Sequence, residues 1–381
     1  MRPAFAPARS RRSRADPARC LDVELLGERR DEHHPGVANR PLIVKQTRVP
    51  SSPTGWHPAM KAPAHGFAQG LYDRAMCRVL AYLGEPISLA QVLFETDSSL
   101  VRQSYSPRMM NTFLNLAGFG MVAWDPCSVR AGDPFTYRET TLPAFDRNLR
   151  NLATKLAPTC LIAHVRGVTY GEHEMVAQTN LHPFRFHGAG VALAHNGHLR
   201  EFARMRYDLL QYIRPELAQR IEGTTDSEWI YALVVSQLED PDGLPGTREL
   251  ADAVTSTLRV IREVRTRHGI DTSSPVNLCL TTGQALVATR FSFDYGWYPD
   301  DDALLETDLP YVSLWYTLGG EYVQGDGGAA MAASDSPRSL LIASEPLTID
   351  TSSWLEVPEY SMIIAALTPI GLDFEMHDLD V

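Results

Sequence analysis

Long apolar runs are missing from this 381-residue chain. None approaches the roughly 20 consecutive residues that a membrane-spanning helix needs, so no membrane role is expected. Basic charge is also scarce. The formal net charge is -11, which argues against a nucleic-acid surface, since those are basic. Only five cysteines occur (Cys20, Cys77, Cys127, Cys160 and Cys279), and no two form a CxxC pair. That pattern points to neither a disulfide framework nor a zinc knuckle. The histidine-rich middle (His164, His173, His182, His187, His195 and His198) lacks HExxH or any comparable ligand spacing, so no metal is expected. No glycine-rich phosphate loop is visible, and no cofactor is expected. An apolar signal-peptide core is missing as well, which makes the cytoplasm the expected compartment.

What is present divides at residue 76. Residues 1–75 hold nine prolines, an arginine cluster (Arg9, Arg11, Arg12, Arg14) and a net charge of +6, against -17 for the remainder. With no sustained helical or alternating pattern, residues 1–76 read as a disordered basic extension, absent from or removed in the active protein. Residues 77–381 read as one domain.

From Cys77 onward the texture is that of a globular fold. Val79–Leu83, Gly118–Trp124, Cys160–Arg166 and Gly190–Gly197 read as strands, the last running into a turn at Asn196-Gly197. Leu89–Phe94 reads as a short helix, and Gln103–Arg108 as a polar loop. Helices are expected over Thr141–Ala157, Glu201–Ile213, Asp226–Leu238 (with Asp226 near the cap) and Glu249–His268. Asn277–Thr282, Ala285–Thr289, Leu314–Leu318, Ser339–Ala343 and Ile363–Leu367 read as further strands. With strands at both ends and helices between, the class is α+β.

Four stretches then line up: Met76-Cys77-Arg78, Ala163-His164-Val165-Arg166, Ala194-His195-Asn196-Gly197-His198 and Thr224-Thr225-Asp226-Ser227-Glu228. Their types and order resemble the class II glutamine amidotransferases, which are N-terminal-nucleophile (Ntn) hydrolases. Asn180-Leu181-His182-Pro183-Phe184 and Ile342-Ala343-Ser344-Glu345-Pro346-Leu347 fit too. Gln103–Arg108 and Asn115–Trp124 are similar to the stand-alone bacterial branch, which includes the ergothioneine-biosynthesis amidohydrolase. The resemblance covers Cys77 to about Leu347. It implies a four-layer αββα sandwich of two antiparallel sheets, where periodicity alone implies only α+β.

It also implies roles. A cysteine thiol titrates near ~8.5 and an α-amine near ~7.7 to 8.0, so an N-terminal Cys77 would carry its own base. Taken alone, Cys77 reads as a small buried strand residue, and it is the other motifs that reverse this. Asn196 and Gly197 would form the oxyanion hole, through a side-chain amide and a backbone N–H. Arg166 would pair with the α-carboxylate of a glutamyl group and Asp226 with its α-ammonium; the alternatives are a strand-end arginine and a helix cap. The histidine matching His182 lies near the substrate carboxylate in the family. Gly167 stands where members with a synthase domain have a tryptophan, which implies a more open pocket.

The substrate is then glutamine or a γ-glutamyl compound. Too little chain follows the motifs for a synthase domain. Two enzyme readings remain, a glutaminase subunit feeding ammonia to a separate synthase and a self-sufficient hydrolase of a larger γ-glutamyl amide. A non-catalytic scaffold with Cys77 behind its tail, and a papain-like pairing of Cys77 with His164 or His195, are the other readings.

Overall fold

The structure is a computed structural model that describes residues 77–109, 115, 117–167, 176–295, 312–325 and 328–381. The basic extension expected over residues 1–76 lies outside these, as does His173. In chain order the first elements are strand β1 (Arg78–Leu83), a π-helical turn at Gln91–Glu95, helix α1 (Leu100–Gln103), β2 (Phe119–Trp124), β3 (Phe135–Glu139), α2 (Arg147–Ala153) and β4 (Cys160–Val165). Next come β5 (Ala192–Gly197), α3 (Phe202–Leu209), α4 (Pro215–Ala218), α5 (Asp226–Gln237) and α6 (Thr247–Arg267). The rest is strand: β6 (Ser274–Thr281), β7 (Ala285–Arg290), β8 (Ser292–Phe293), β9 (Trp315–Gly319), β10 (Tyr322–Gly325), β11 (Gly328–Met331), β12 (Ser339–Ala343), β13 (Leu355–Glu356), β14 (Ser361–Thr368) and β15 (Gly371–Asp378).

Two large antiparallel sheets result, ordered β13-β9-β12-β1-β4-β2-β3 and β15-β14-β7-β6-β5, with β8 attached to β6, while β10 and β11 pair separately as a two-stranded sheet. Alternation along each strand sends successive side chains to opposite faces, and here both faces are covered. Leu80 and Tyr82 of β1 face one apolar cluster with Leu161 and Ala163 of β4 and Leu89, Leu100 and Leu149 from the outer helical layer. Val79, Ala81 and Leu83 face the other way, into a cluster with Ile162, Ala192, Ala194, Cys279, Ala288 and Ile363 between the sheets. A third cluster joins Leu193, Leu278, Leu280 and Val287 to α3, α5 and α6. Three apolar interfaces therefore separate four layers, the αββα sandwich that the resemblance implied. Double-sided burial also explains why β1 and β4 read as continuous apolar runs rather than alternating ones.

Several expected boundaries shift. The helix expected over Thr141–Ala157 is confined to Arg147–Ala153, because Asp146 caps it by accepting the N–H groups of Asn148 and Leu149, both at 3.0 Å. Asn196-Gly197 is not a turn. Both residues remain in β5, opposite Asn277 and Val276 of β6. Thr225, not Asp226, caps α5, accepting the Glu228 N–H at 3.4 Å. Ile363–Leu367 lies within β14, which pairs with a further strand, β15.

Candidate active site

Sheet order puts the start of β1 at a crowded place. Its neighbours β4 and β12 run antiparallel to it, so the residues leaving both of them flank the residue that opens it. On the β4 side are Arg166 and Gly167; on the β12 side are Ser344 and Glu345. Cys77 is held directly, since the Gly167 N–H donates to its Sγ at 3.4 Å and the Sγ lies 3.6 Å from the Gly167 carbonyl.

The thiol's electrostatics are mixed. Burial pushes its pKa up, the Gly167 N–H and the guanidinium groups of Arg166 and Arg78 pull it down, and Asp226 raises it again. The balance keeps the sulfur protonated near neutral pH, so a nucleophilic role would need a base to take that proton. Cys160 and Cys279 are different: burial in the inter-sheet core drives both to about 12, which makes them inert packing residues. Neither histidine of a papain-like pairing is hydrogen-bonded to Cys77: among the described residues both ring nitrogens of His164 lack a hydrogen-bond partner, and His195 is engaged elsewhere. The His195 ring nitrogens face Ser227 Oγ at 2.9 Å and the Pro275 carbonyl at 3.5 Å.

Arg166 is buried and its backbone continues the β4–β2 ladder, with its N–H donating to the Gly118 carbonyl at 2.9 Å. Its charge and that of Asp226 both act on the Cys77 thiol, so the two expected substrate-binding residues share the surroundings of Cys77. Asp226, in the first turn of α5, does not cap its own helix. Its Oδ2 accepts the Leu199 N–H at 2.6 Å and its Oδ1 the Ser227 hydroxyl at 3.1 Å. Two donors hold the carboxylate in one orientation, facing the segment that follows β5.

Asn196 is buried, and its Nδ2 donates to Ser344 Oγ at 3.0 Å. An amide nitrogen carries two hydrogens, so one stays available for an oxyanion. Gly197 has φ +152°, and a Cβ there would lie 1.9 Å from the Pro275 carbonyl oxygen. Only glycine lets β5 end so close to β6.

His182 lies behind this group. Its ring centroid is 4.1 Å from that of His164. Burial is the main reason that His164 falls to about 3 and His182 well below the usual histidine value, with Arg166 adding to both. Both rings are neutral at physiological pH. The His182 backbone can approach because Gly120 has no side chain; a Cβ there would meet the His182 carbonyl oxygen at 2.0 Å.

Sequence reasoning assigned no role to a second set of polar residues. Asn180 accepts the Thr224 N–H at 2.8 Å and donates to Thr224 Oγ1 at 3.1 Å. Glu228 accepts the N–H groups of Glu222 (3.0 Å) and Gly223 (2.6 Å). Together they fix the loop that delivers Asp226. Ser344, Glu345 and Arg78 do the same around Cys77. The signal was available, since each is a polar residue inside a motif that folds into an apolar interior.

Comparison with known proteins identifies the family. The family model of class II glutamine amidotransferases matches residues 94–366. Probable glutamine amidotransferase DUG3 of Saccharomyces cerevisiae is 30% identical over 307 residues, which is 76% of this chain and 81% of that protein. Gamma-glutamyl-hercynylcysteine sulfoxide hydrolase of Mycolicibacterium smegmatis is 26% identical over 237 residues, 62% of this chain and 88% of that one. Among solved structures, a glutamine aminotransferase class-II domain protein from Silicibacter pomeroyi aligns with TM-score 0.49 and 20% identity, covering 80% of this chain and all of that chain. No described helix is long and apolar enough to cross a membrane. With the family model matched over most of its length, the chain belongs to the class II glutamine amidotransferases, enzymes that hydrolyse or transfer amide groups.

Proposed function

We propose that the protein hydrolyses the γ-amide of glutamine or of a γ-glutamyl compound through a thioester on Cys77, after residues 1–76 have been left behind. The observation that carries this reading is the position of Cys77. It opens a central strand, its Sγ touches Gly167, and the charges of Arg166 and Asp226 both act on it. A free α-amine at Cys77 would take the thiol proton. The thiolate then attacks the γ-carbonyl carbon, and its oxygen becomes an anion received by the Asn196 amide and the Gly197 N–H. Collapse breaks the C–N bond, and the leaving nitrogen departs with the proton held by the α-ammonium. Water next attacks the thioester, which releases glutamate and restores the thiol. Arg166 and Asp226 hold the two charges of the glutamyl head, and neutral His182 lies within electrostatic reach of Arg166. A charge-complementary pair of this kind selects an amino-acid zwitterion.

Removing the Asp226 carboxylate should therefore weaken substrate binding. A second reading concerns the far side of the scissile bond. Gly167, beside the sulfur, stands where members with a synthase domain have a tryptophan, which favours a γ-glutamyl amide larger than glutamine. The similarity to a γ-glutamyl sulfoxide hydrolase points the same way. If glutamine itself is the substrate, the released ammonia would serve a separate synthase subunit.

Intact-mass analysis of purified protein, paired with glutamate release from glutamine and from a panel of γ-glutamyl amides, tests the proposal. The expected result is activity only in protein whose mass corresponds to a start at Cys77. Glutamate release by a chain that retains residues 1–76 uncut would overturn the mechanism.

A further inference from the structure

Deepening the reading just given, and resting on it, one feature of the site concerns how the nucleophile is aimed. An N-terminal residue is tethered to the fold on one side only, so its carbonyl must be fixed for its amine and thiol to hold a direction. Arg78 supplies that grip: its Nη1 donates to the Cys77 carbonyl at 3.1 Å. Arg78 is fully buried, and its Nη2 lies 3.5 Å from Oε1 of Glu345, which is equally buried. The second oxygen of Glu345 accepts the N–H groups of Arg108 (2.8 Å) and Met109 (3.1 Å). The Gln103 amide donates to the Glu345 carbonyl at 3.1 Å, so this polar loop wraps the same residue.

Ser344, one residue earlier, serves the other half of the chemistry. Its hydroxyl oxygen accepts from two groups, the Val79 N–H at 2.9 Å and Asn196 Nδ2 at 3.0 Å. Its own backbone is pinned, with Ser344 N–H donating to the Val79 carbonyl at 2.9 Å and the Ser313 hydroxyl to the Ser344 carbonyl at 2.7 Å. A hydroxyl oxygen has two lone pairs, and here one is spent on the nucleophile's strand and one on the expected oxyanion donor. We propose that Ser344 and Glu345 are positioning residues of the reaction: Ser344 orients the Asn196 amide relative to β1, and Glu345, through Arg78, sets the direction of Cys77.

Each residue has a variant that separates this role from bulk stability. Ser344→Ala deletes the shared acceptor, and Ser344→Thr restores it. Glu345→Gln keeps the shape, but a carboxamide accepts on one atom only and presents a donor on the other. It must therefore face either Arg78 or the Arg108 and Met109 N–H groups with the wrong polarity. Every described core residue lies after position 78, so protein beginning at Cys77 retains the whole described interior. In that protein two rates are measured alongside the melting temperature: glutamate release, and carbamidomethylation of Cys77 by iodoacetamide across pH, read by mass spectrometry.

Ser344→Ala is expected to lower kcat by about 10- to 100-fold with KM nearly unchanged, the penalty of a misplaced reacting group. Its Cys77 alkylation should match the parent, and Ser344→Thr should recover most of kcat. Glu345→Gln is expected to lower kcat and also to change the alkylation rate by about threefold or more, because it disturbs the nucleophile itself. Folded Ser344→Ala and Glu345→Gln proteins with parental kcat overturn the inference while leaving the thioester mechanism standing. If Glu345→Gln does not fold, the Ser344→Ala and Ser344→Thr pair decides. If the parent hydrolyses no γ-glutamyl amide, the functional reading fails and alkylation decides the positioning role: an unchanged rate in folded Glu345→Gln overturns it, and a changed rate supports it.

Discussion

Asn196→Ala is the most informative single substitution, because its two consequences differ in kind and can be measured apart. The side chain is buried, and its one described hydrogen bond runs from Nδ2 to Ser344 Oγ at 3.0 Å. Losing that bond and the contacts of a small polar side chain should cost about 1 to 3 kcal/mol of stability. For a domain of this size that corresponds to a melting point lower by a few degrees. Under the proposed mechanism the catalytic consequence is larger. A missing oxyanion donor removes ~2.7 to 4 kcal/mol from the transition state. At 1.36 kcal/mol per tenfold, kcat should fall about 100- to 1000-fold. The substrate carbonyl carries little charge before attack, so KM should stay within about threefold of the parent. Steady-state glutamate release from protein starting at Cys77, with a thermal melt on the same sample, makes the comparison. A kcat within about fivefold of the parent in a folded variant would remove Asn196 from the oxyanion hole. A loss confined to KM would reassign it to substrate binding.

Three further outcomes are expected. Asp226→Ala should reduce kcat/KM chiefly through KM, because the substrate's α-ammonium is present in ground and transition states alike; an unchanged kcat/KM would refute the charge-complementary pairing of Asp226 with Arg166 on the glutamyl head. Iodoacetamide should label Cys77 while Cys160 and Cys279 stay unmodified until the protein unfolds, since burial holds those two thiols at about 12; peptide mass mapping reads all three. Acidification should destabilise the protein. His164 falls to about 3 when folded, against ~6.5 unfolded, so between those values the unfolded chain binds the extra proton and stability rises with pH. From pH 8 to pH 5 this one residue accounts for about 2 kcal/mol. Chemical denaturation at both pH values should show a shallower slope in His164→Gln, and an identical slope would contradict the burial of a neutral ring.

The family, and with it a candidate site, was legible in the linear order of residues. Cys77, Arg166, Asn196-Gly197 and Asp226 stand in short motifs whose types and sequence suffice for the resemblance, and the family model bears out the family assignment. Local readings succeeded where one physical term dominates. The helix expected over Glu249–His268 is α6 within two residues at either end, because a sustained amphipathic stripe leaves little choice. They failed where a distant partner decides. Asn196-Gly197 has the composition of a hairpin turn, yet pairing with Asn277 and Val276 holds it in a strand. The strands β3, β10, β11 and β15 escaped notice because they are short, partly exposed or Gly- and charge-bearing, so no continuous apolar run marks them.

By itself, then, the amino-acid order determined that the chain is α+β, which residues are chemically able to act, and that a stretch such as Cys160–Arg166 is a strand. Only tertiary structure decided what surrounds Cys77. Antiparallel pairing brings the end of β4 and the end of β12 to the start of β1, although they lie far apart along the chain. Spacing along the sequence carries no trace of that meeting. Register and sheet order are selected by long-range hydrogen bonding and by which side chains fill the space between the sheets, and these are properties of the folded whole.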